Sequence, residues 1–230
     1  MEHKENLELI ALYQGLRVAD VRDGMDWVGY HHYGSVDPSI RPLFRTHVIG
    51  IAKTARYVPY EGPTPRFTPE EYSEWVPKYY AEVNNDLWVK DLKQGDFMCI
   101  DIAGCDVGLI GSNNSMDHMI RGCVGFLSNG AARDTDEMIM QKIPMWCKAI
   151  SMNMSQARSR YIEQDTPIGI GGVAIYTGDV VVADGDGVII VPRKIARDVE
   201  KWARRENVAD RAGRKHYYEV LGKELDDTVI

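Results

Sequence analysis

The feature that most constrains the fold is a regular alternation of strand-like and helix-like segments between residues 97 and 151. Apolar runs are separated by amphipathic stretches that begin after glycine-punctuated loops. The order strand, helix, strand, helix, strand predicts parallel strands joined by right-handed crossovers, which is an α/β arrangement. The predicted strands cover 97–103, 123–128 and 145–151, and the predicted helices cover about 113–121 and 135–142.

The segments before this core predict two short helices and a strand. Apolar residues recur at helical spacing within 5–29, where Asp20 is the expected N-cap of the second helix and Gly29 its stop. Residues 47–58 are β-rich and alternate, which is typical of a half-buried strand.

The segments after the core predict closing hairpins and a terminal helix. Three short strands are expected between residues 171 and 192, joined as antiparallel hairpins by the turns 177–179 and 184–187. A long charged helix is expected over about 193–206. We therefore predict one domain over residues 1–230, with a C-terminal helical extension at about 193–230.

An aromatic and proline-rich insertion is predicted at about residues 59–90. Five of the ten prolines lie within 59–78, where we expect a loop and a short helix starting near Thr68. An amphipathic helix is predicted over 79–93. The crowded aromatic side chains suit core or subunit packing, and a substrate lid is the alternative.

Composition excludes several classes of partner. The net charge of −7 argues against nucleic acid and against anionic membranes, because both require a concentrated positive field. No stretch approaches 18 apolar residues, and the first residues lack the apolar core of a secretory signal. The four cysteines form no C-x-x-C pair, as expected for buried thiols in a reducing compartment. These features predict a cytoplasmic protein.

Two predicted helix starts carry the candidate chemistry. Gly111 opens the helix at 112–114, where unpaired N–H groups and the positive end of the helix dipole attract an anion. Arg133 and Asp134 follow an expected turn at 130–132 and offer a fork for a carboxylate and a hard oxygen for Mg²⁺ or Mn²⁺. The spacing of Asp134 and Glu137 is equally typical of a helix capping box, so spacing alone leaves both interpretations open.

A wider pattern places these residues in a known context. A series of spaced glycines, here called the glycine ladder, leads into an Arg-Asp-x-x-Glu motif. The residues of the ladder and the motif are Gly111, Gly122, Gly125, Gly130, Arg133, Asp134 and Glu137. Together with the closing segment 171–192, they resemble the RraA-like family, which includes regulators of ribonuclease E activity and 4-hydroxy-4-methyl-2-oxoglutarate aldolases. The resemblance extends over about residues 15–200.

The resemblance implies a fold, a chemistry and an assembly. The expected fold is a swivelling β/β/α-type α/β domain with a central parallel or mixed sheet, closing hairpins and a C-terminal helix. It implies that Arg133 binds substrate, that Asp134 holds the divalent metal partly through water, and that Glu137 supports the metal's water shell. The backbone of 112–114 would bind the carboxylate of a small 2-oxo acid, in homotrimers or homohexamers with interface active sites.

The implied activity is that of a divalent-metal-dependent lyase. A small 2-oxo acid or a related hydroxylated carboxylate would undergo aldol cleavage or decarboxylation through a metal-stabilised enolate. A non-catalytic regulator of the ribonuclease E type and a hydro-lyase on the same scaffold are the alternatives.

One position departs from the aldolase pattern. Aldolases of the family carry an acidic residue directly after the first motif glycine, and this chain has Ser112 there. A serine cannot be the same acid–base group, so the role of Ser112 as a catalytic residue is open. Asn113 and Asn114 replace apolar residues, which suits a larger polar substrate contacted by Gly111, Ser112, Asn113, Asn114 and, as a minority interpretation, His118.

Overall fold

A mixed nine-stranded sheet forms the centre of the protein, as seen in a computed structural model that describes residues 2–229, apart from the side chains of Glu2 and Leu87. The strand order is β1-β6-β5-β3-β2-β10-β11, with β4 added to β5 and β7 added to β2. The strands are β1 Arg41–Pro42, β2 Val48–Pro59, β3 Asp96–Asp101, β4 Gly108–Ile110, β5 Gly125–Ala132, β6 Met145–Ile150, β7 Ser159–Gln164, β8 Ile168–Ile170, β9 Val173–Ile175, β10 Val180–Ala183 and β11 Val188–Val191.

Six α-helices accompany the strands within the described residues. They are α1 Glu2–Tyr13, α2 Val18–Trp27, α3 Pro69–Glu82, α4 Ser112–Ile120, α5 Thr135–Met140 and α6 Ala196–Leu221. Two short 3₁₀ helices cover Leu87–Asp91 and Arg193–Ile195. No helix within residues 2–229 is long and apolar enough to cross a membrane.

The predicted α/β core is confirmed. Strands β2, β3, β5 and β6 pair in parallel, and α4 and α5 lie in the crossovers between them. The helices α1, α2 and α6 cover an apolar cluster formed by β10 and β11, whose residues are all buried. The separate β8–β9 hairpin covers a second cluster, which contains Phe97 and Trp146. The mixed sheet, the closing strands and the long C-terminal helix agree with the expected fold class.

The insertion differs from its predicted course. Its first helix begins after Thr68 as expected, where the side chains of Thr68 and Glu71 each accept a hydrogen bond from the other's backbone N–H. The helix predicted over 79–93 is wrong, because α3 continues through Pro77 to Glu82 and is followed by a separate 3₁₀ turn. The rings of Trp75 and Tyr79, tilted by 38° with centroids 5.0 Å apart, contact each other on either side of the proline, which lacks an N–H donor.

Helix α2 begins earlier than the sequence indicated. Its N-cap is Arg17, and Asp20 lies inside the first turn, so the prediction that Asp20 is the cap is wrong. The Asp20 carboxylate accepts hydrogen bonds from the Arg17 N–H at 2.9 Å and from Asn207 Nδ2 at 2.8 Å. Asp20 therefore joins α2 to α6 as well as satisfying the helix start.

Two turns were placed wrongly and one helix was predicted too short. Residues 130–132 belong to β5, because Ala131 and Ala132 pair with both β4 and β6. Strand β9 pairs with β8 and not with β10, so the hairpin expected at 177–179 does not form, whereas β10 and β11 do form one. Helix α6 continues to Leu221 and ends at Gly222, which has φ +63°.

Candidate functional site

The first component of the site is the start of α4. Gly111 is in an extended conformation directly after β4, and its N–H donates to Asn114 Oδ1 at 2.8 Å. The Asn114 Nδ2 group donates to the Leu109 carbonyl at 2.9 Å, so this side chain fixes the loop on both sides. The next backbone N–H groups, which open α4, have no acceptor within the helix and are suited to an anion.

The second component is the Arg133–Asp134 pair at the end of β5. The Arg133 N–H donates to the Ile110 carbonyl at 2.9 Å, which brings this pair next to the start of α4. Asp134 has φ +53° and ψ +42°, a left-handed conformation that is uncommon for residues other than glycine and that clusters at functional sites. Its side chain makes no capping hydrogen bond to α5, so the capping-box interpretation of Asp134 and Glu137 is not realised. Its Oδ1 instead accepts from Arg133 Nε at 3.2 Å.

Glycines create the space that this pair occupies. A Cβ built on Gly111 would lie 2.6 Å from Asp134 Oδ2, and one built on Gly108 would collide with the Arg133 Cβ. Farther back in the ladder, a Cβ on Gly125 would lie 2.7 Å from the Phe97 ring. The glycine pattern thus has a packing cause, since these positions clear room for the functional pair and for the core beneath it.

Six of the eight residues proposed from sequence line one cavity of about 390 Å³. These residues are Gly111, Asn113, Asn114, His118, Arg133 and Asp134. Among the described residues, Ser112 and Glu137 do not contribute to this lining. The structure therefore brings together the start of α4, the arginine and the aspartate, whereas Ser112 lies outside the lining of this cavity.

Another part of the cavity wall was not predicted from the sequence. It includes Tyr57 from β2 and five residues from the insertion, namely Tyr80, Asn84, Asp86, Trp88 and Val89. Trp88 Nε1 donates to the Tyr57 hydroxyl at 3.0 Å, and burial raises the pKa of Tyr57, so that phenol stays neutral at ordinary pH. The cluster Asn84-Asn85-Asp86, between a helix and a buried tryptophan, was the available signal for this wall.

Whether the cavity suits a metal ion depends on Asp134. Within residues 2–229, no group of three or more His, Cys, Asp or Glu side chains is arranged to hold a metal ion. Zinc sites with three or four protein ligands therefore do not match this cavity. Mg²⁺ often takes one or two protein carboxylates and fills its remaining positions with water and substrate oxygens, which suits a single aspartate beside an anion-binding helix start.

Fold and site together define an α/β protein in which the start of a crossover helix lies beside an arginine–aspartate pair. Residues 18–190 match the family described as RraA-like, Aldolase/RraA. The chain belongs to the RraA-like family.

Similar proteins of this family carry different names. The chain is 27% identical over 184 residues to protein DlpA of Legionella pneumophila, covering 79% of this chain and 27% of that protein. It is 28% identical over 100 residues to the 4-hydroxy-4-methyl-2-oxoglutarate aldolase of Thermus thermophilus, covering 43% of this chain and 60% of the aldolase. The matched region thus spans about a quarter of one relative and under two thirds of the other.

A solved structure of similar fold is Streptomyces coelicolor RraAS2, described as an unusual member of the RNase ES inhibitor RraA protein family. The TM-score is 0.71 at 22% identity, and the match covers 90% of this chain and 96% of RraAS2. This similarity concerns the fold alone, over most of the chain.

Proposed function

We propose that the protein is a divalent-metal-dependent lyase that acts on a small 2-oxo acid or a related hydroxylated carboxylate. The observation that carries this proposal is the shared cavity of the α4 start, Arg133 and Asp134. The N–H groups at the α4 start and the guanidinium of Arg133 are suited to the carboxylate and oxo oxygens of a 2-oxo acid. A carboxylate oxygen of Asp134 is suited to a divalent metal bound beside that acid. The similarity to a named aldolase of the same family supports a carbon–carbon lyase in particular.

The residues of this chain would divide the work by their chemistry. The guanidinium of Arg133 can donate two parallel hydrogen bonds to a carboxylate or to neighbouring oxo-acid oxygens, which fixes the substrate's orientation. The first N–H groups of α4, at Ser112 and Asn113, would donate hydrogen bonds to the substrate's carboxylate. Asp134 would hold Mg²⁺ or Mn²⁺, and Glu137 would act only through water. The metal, when bound, would polarise the 2-oxo group as a Lewis acid.

The experiment that tests the proposal is a cleavage screen. The purified protein is supplied with Mg²⁺ and a panel of 4-hydroxy-2-oxo acids, and pyruvate release is followed by a coupled assay. We expect release that requires the metal and that falls strongly in Arg133→Lys, because a point charge cannot replace a planar fork. Arg197→Lys, which changes an exposed arginine of α6 outside this cavity lining, is the matched control. Pyruvate release that is equal in Arg133→Lys and wild type would remove Arg133 from the site.

A regulatory function is the second candidate, supported by the similar fold of RraAS2. A protein of that type would slow a ribonuclease and would not need a divalent metal. Decarboxylation and elimination on the same scaffold remain within the proposed class of lyases. Decarboxylation through the same enolate would release CO₂ together with pyruvate, and elimination would release water without pyruvate.

A homotrimer or homohexamer with interface active sites is also proposed. The exposed apolar side chains Met116, Ile120, Met140, Ile150 and Met152 lie on or beside the crossover helices of the site, and such surfaces are typical of association. All four cysteines are free thiols, which supports the proposed cytoplasmic location. Light scattering after gel filtration measures the assembly directly.

A further inference from the structure

One histidine of the cavity is unused by the proposed substrate site. His118 lies on α4, lines the same cavity as Arg133 and Asp134, and is only 3% exposed. Its ring packs near Phe126 with 6.0 Å between centroids, and its Nδ1 is buried without a hydrogen-bond partner among the described residues. A buried imidazole nitrogen without a partner is uncommon in proteins and requires an explanation.

Asp86 is an acidic residue that lines the same cavity as this histidine. It is brought there by the insertion, at the N-cap of the 3₁₀ helix, where its side chain makes no capping hydrogen bond. Its carboxylate is exposed, and its charge acts on His118 more strongly than that of the neighbouring Asp117. Asp117 is paired with Arg121 at 2.8 Å on the same helix, so these two charges largely offset one another.

The surroundings favour a neutral imidazole that can accept a proton. Burial lowers the pKa of His118, while the negative charges of Asp86 and Asp117 oppose that shift and Arg121 adds to it. At neutral pH the ring is therefore an available base, and Asp86 is placed to stabilise the cation that forms when the ring takes a proton.

We propose that His118 is the acid–base residue of the site and that Asp86 is its positioning residue. This inference rests on the proposed 2-oxo acid lyase function. It accounts for Ser112, because the acid expected after Gly111 is missing and the imidazole lies on the same helix. It also gives the insertion a role, since the insertion supplies Asp86.

The proton transfers balance in both directions. In cleavage, the imidazole takes the proton of the substrate's 4-hydroxyl group, and the C4 carbonyl forms as the C3–C4 bond breaks. The electron pair of that bond becomes the C2–C3 double bond of the enolate of pyruvate. The imidazolium then returns the proton to C3, which gives pyruvate and the neutral histidine. With pyruvate alone, the same base removes a methyl proton and returns a solvent proton.

Solvent exchange of the pyruvate methyl group tests this without knowledge of the full substrate. Wild type, His118→Gln, Asp86→Asn and the control His216→Gln, which changes an exposed histidine of α6, are each incubated with Mg²⁺ and pyruvate in D₂O. Loss of the methyl signal is followed by proton NMR. Oxalate binding in the presence of Mg²⁺ is measured for each protein, because oxalate reports an intact site and needs no proton transfer.

We expect His118→Gln to slow exchange by about 100-fold or more, the usual contribution of a general base, with oxalate affinity unchanged. Asp86→Asn should retain exchange but move the acidic limb of its pH profile to lower pH, since removing the carboxylate lowers the pKa of His118. His216→Gln should behave as wild type. A purely structural role of Asp86 would not move the pH profile.

Three results would overturn the assignment. Exchange at the wild-type rate in His118→Gln removes the histidine from proton transfer. An unshifted pH profile in Asp86→Asn removes the positioning role. Wild-type protein that binds Mg²⁺ and oxalate without exchanging pyruvate refutes the acid–base residue while leaving the 2-oxo acid site in place. Failure of wild type to bind either ligand would instead refute the proposed function itself.

Discussion

Replacing Gly111 by alanine should weaken Mg²⁺ binding while leaving the fold intact. The backbone at Gly111 has φ −128° and ψ −178°, which alanine adopts without strain. The new Cβ would lie 2.6 Å from Asp134 Oδ2. Restoring ordinary contact requires the oxygen to move by about 0.8 Å, which the end of a side chain can do without a backbone shift.

That displacement is large for a metal ligand. Metal–oxygen distances tolerate deviations of only about 0.2 Å, so the carboxylate would leave its ligating position. Groups that orient a ligand typically change metal affinity about 10- to 100-fold, and we expect a loss in this range, or about 1.4 to 2.8 kcal/mol. Isothermal titration with Mg²⁺ in the presence of oxalate measures it, and circular dichroism reports the fold.

Gly169→Ala is the matched control for this substitution. Its Cβ would meet no described atom within 4 Å, and the residue lies in β8 outside the lining of the cavity. Its Mg²⁺ affinity should equal that of wild type. A folded Gly111→Ala protein with wild-type Mg²⁺ affinity would refute the reasoning, because Asp134 Oδ2 would then have no part in holding the metal.

The remaining predictions concern stability and can be measured by urea unfolding. Gly108→Ala should lower the free energy of unfolding by about 1 to 3 kcal/mol, because the new Cβ would lie 2.8 Å from the Ser151 carbonyl oxygen and the backbone there cannot shift freely. Unchanged stability would contradict this clash. Gly213→Ala should raise the free energy of unfolding by about 0.5 to 1 kcal/mol, because alanine favours the helix more than glycine does. Gly213 lies inside α6, and a Cβ there would have no described atom within 4 Å, so a decrease would indicate an unrecognised contact. Burial raises the pKa of Asp20, but hydrogen bonds from Arg17 and Asn207 outweigh it and hold that pKa below its ordinary value of 3.8. The ionised form of Asp20 therefore stabilises the fold above about pH 4, and this contribution is lost as the pH falls further. Asp20→Asn should reduce the acid sensitivity of unfolding. Equal acid sensitivity in the wild-type and Asp20→Asn proteins would refute this link between the pKa of Asp20 and stability.

The sequence predicted the core of the fold because local pattern and tertiary packing agree there. Strands β3, β5 and β6 are short apolar runs between amphipathic helices, and the parallel pairing followed from their order. Where local pattern and tertiary packing disagree, the prediction from sequence is wrong. Strand β4 has only three residues, which is too short for a clear sequence pattern. Strand β5 continues through a Gly-Ala-Ala segment that is typical of a turn. It continues as a strand because the neighbouring strands on both sides supply its hydrogen bonds.

The site was predictable only in part. The spacing from Gly111 to Arg133 and Asp134 is visible in the sequence, because one strand–helix–strand unit fixes it. The contribution of Asp86 is not visible in the sequence, since it depends on how the insertion folds and brings Asp86 to the cavity. Local spacing also could not decide whether Asp134 caps its helix, because the left-handed backbone that turns its side chain away from the helix is a property of the folded structure.

The most direct test of the central claim is a titration of chelator-treated protein with Mg²⁺, with and without oxalate, for wild type and Asp134→Ala. A lyase of 2-oxo acids should bind Mg²⁺ more tightly with oxalate present, and a folded Asp134→Ala protein should lose that binding. Wild-type protein that binds neither Mg²⁺ nor oxalate, or a folded Asp134→Ala variant that binds both as wild type does, would contradict the account.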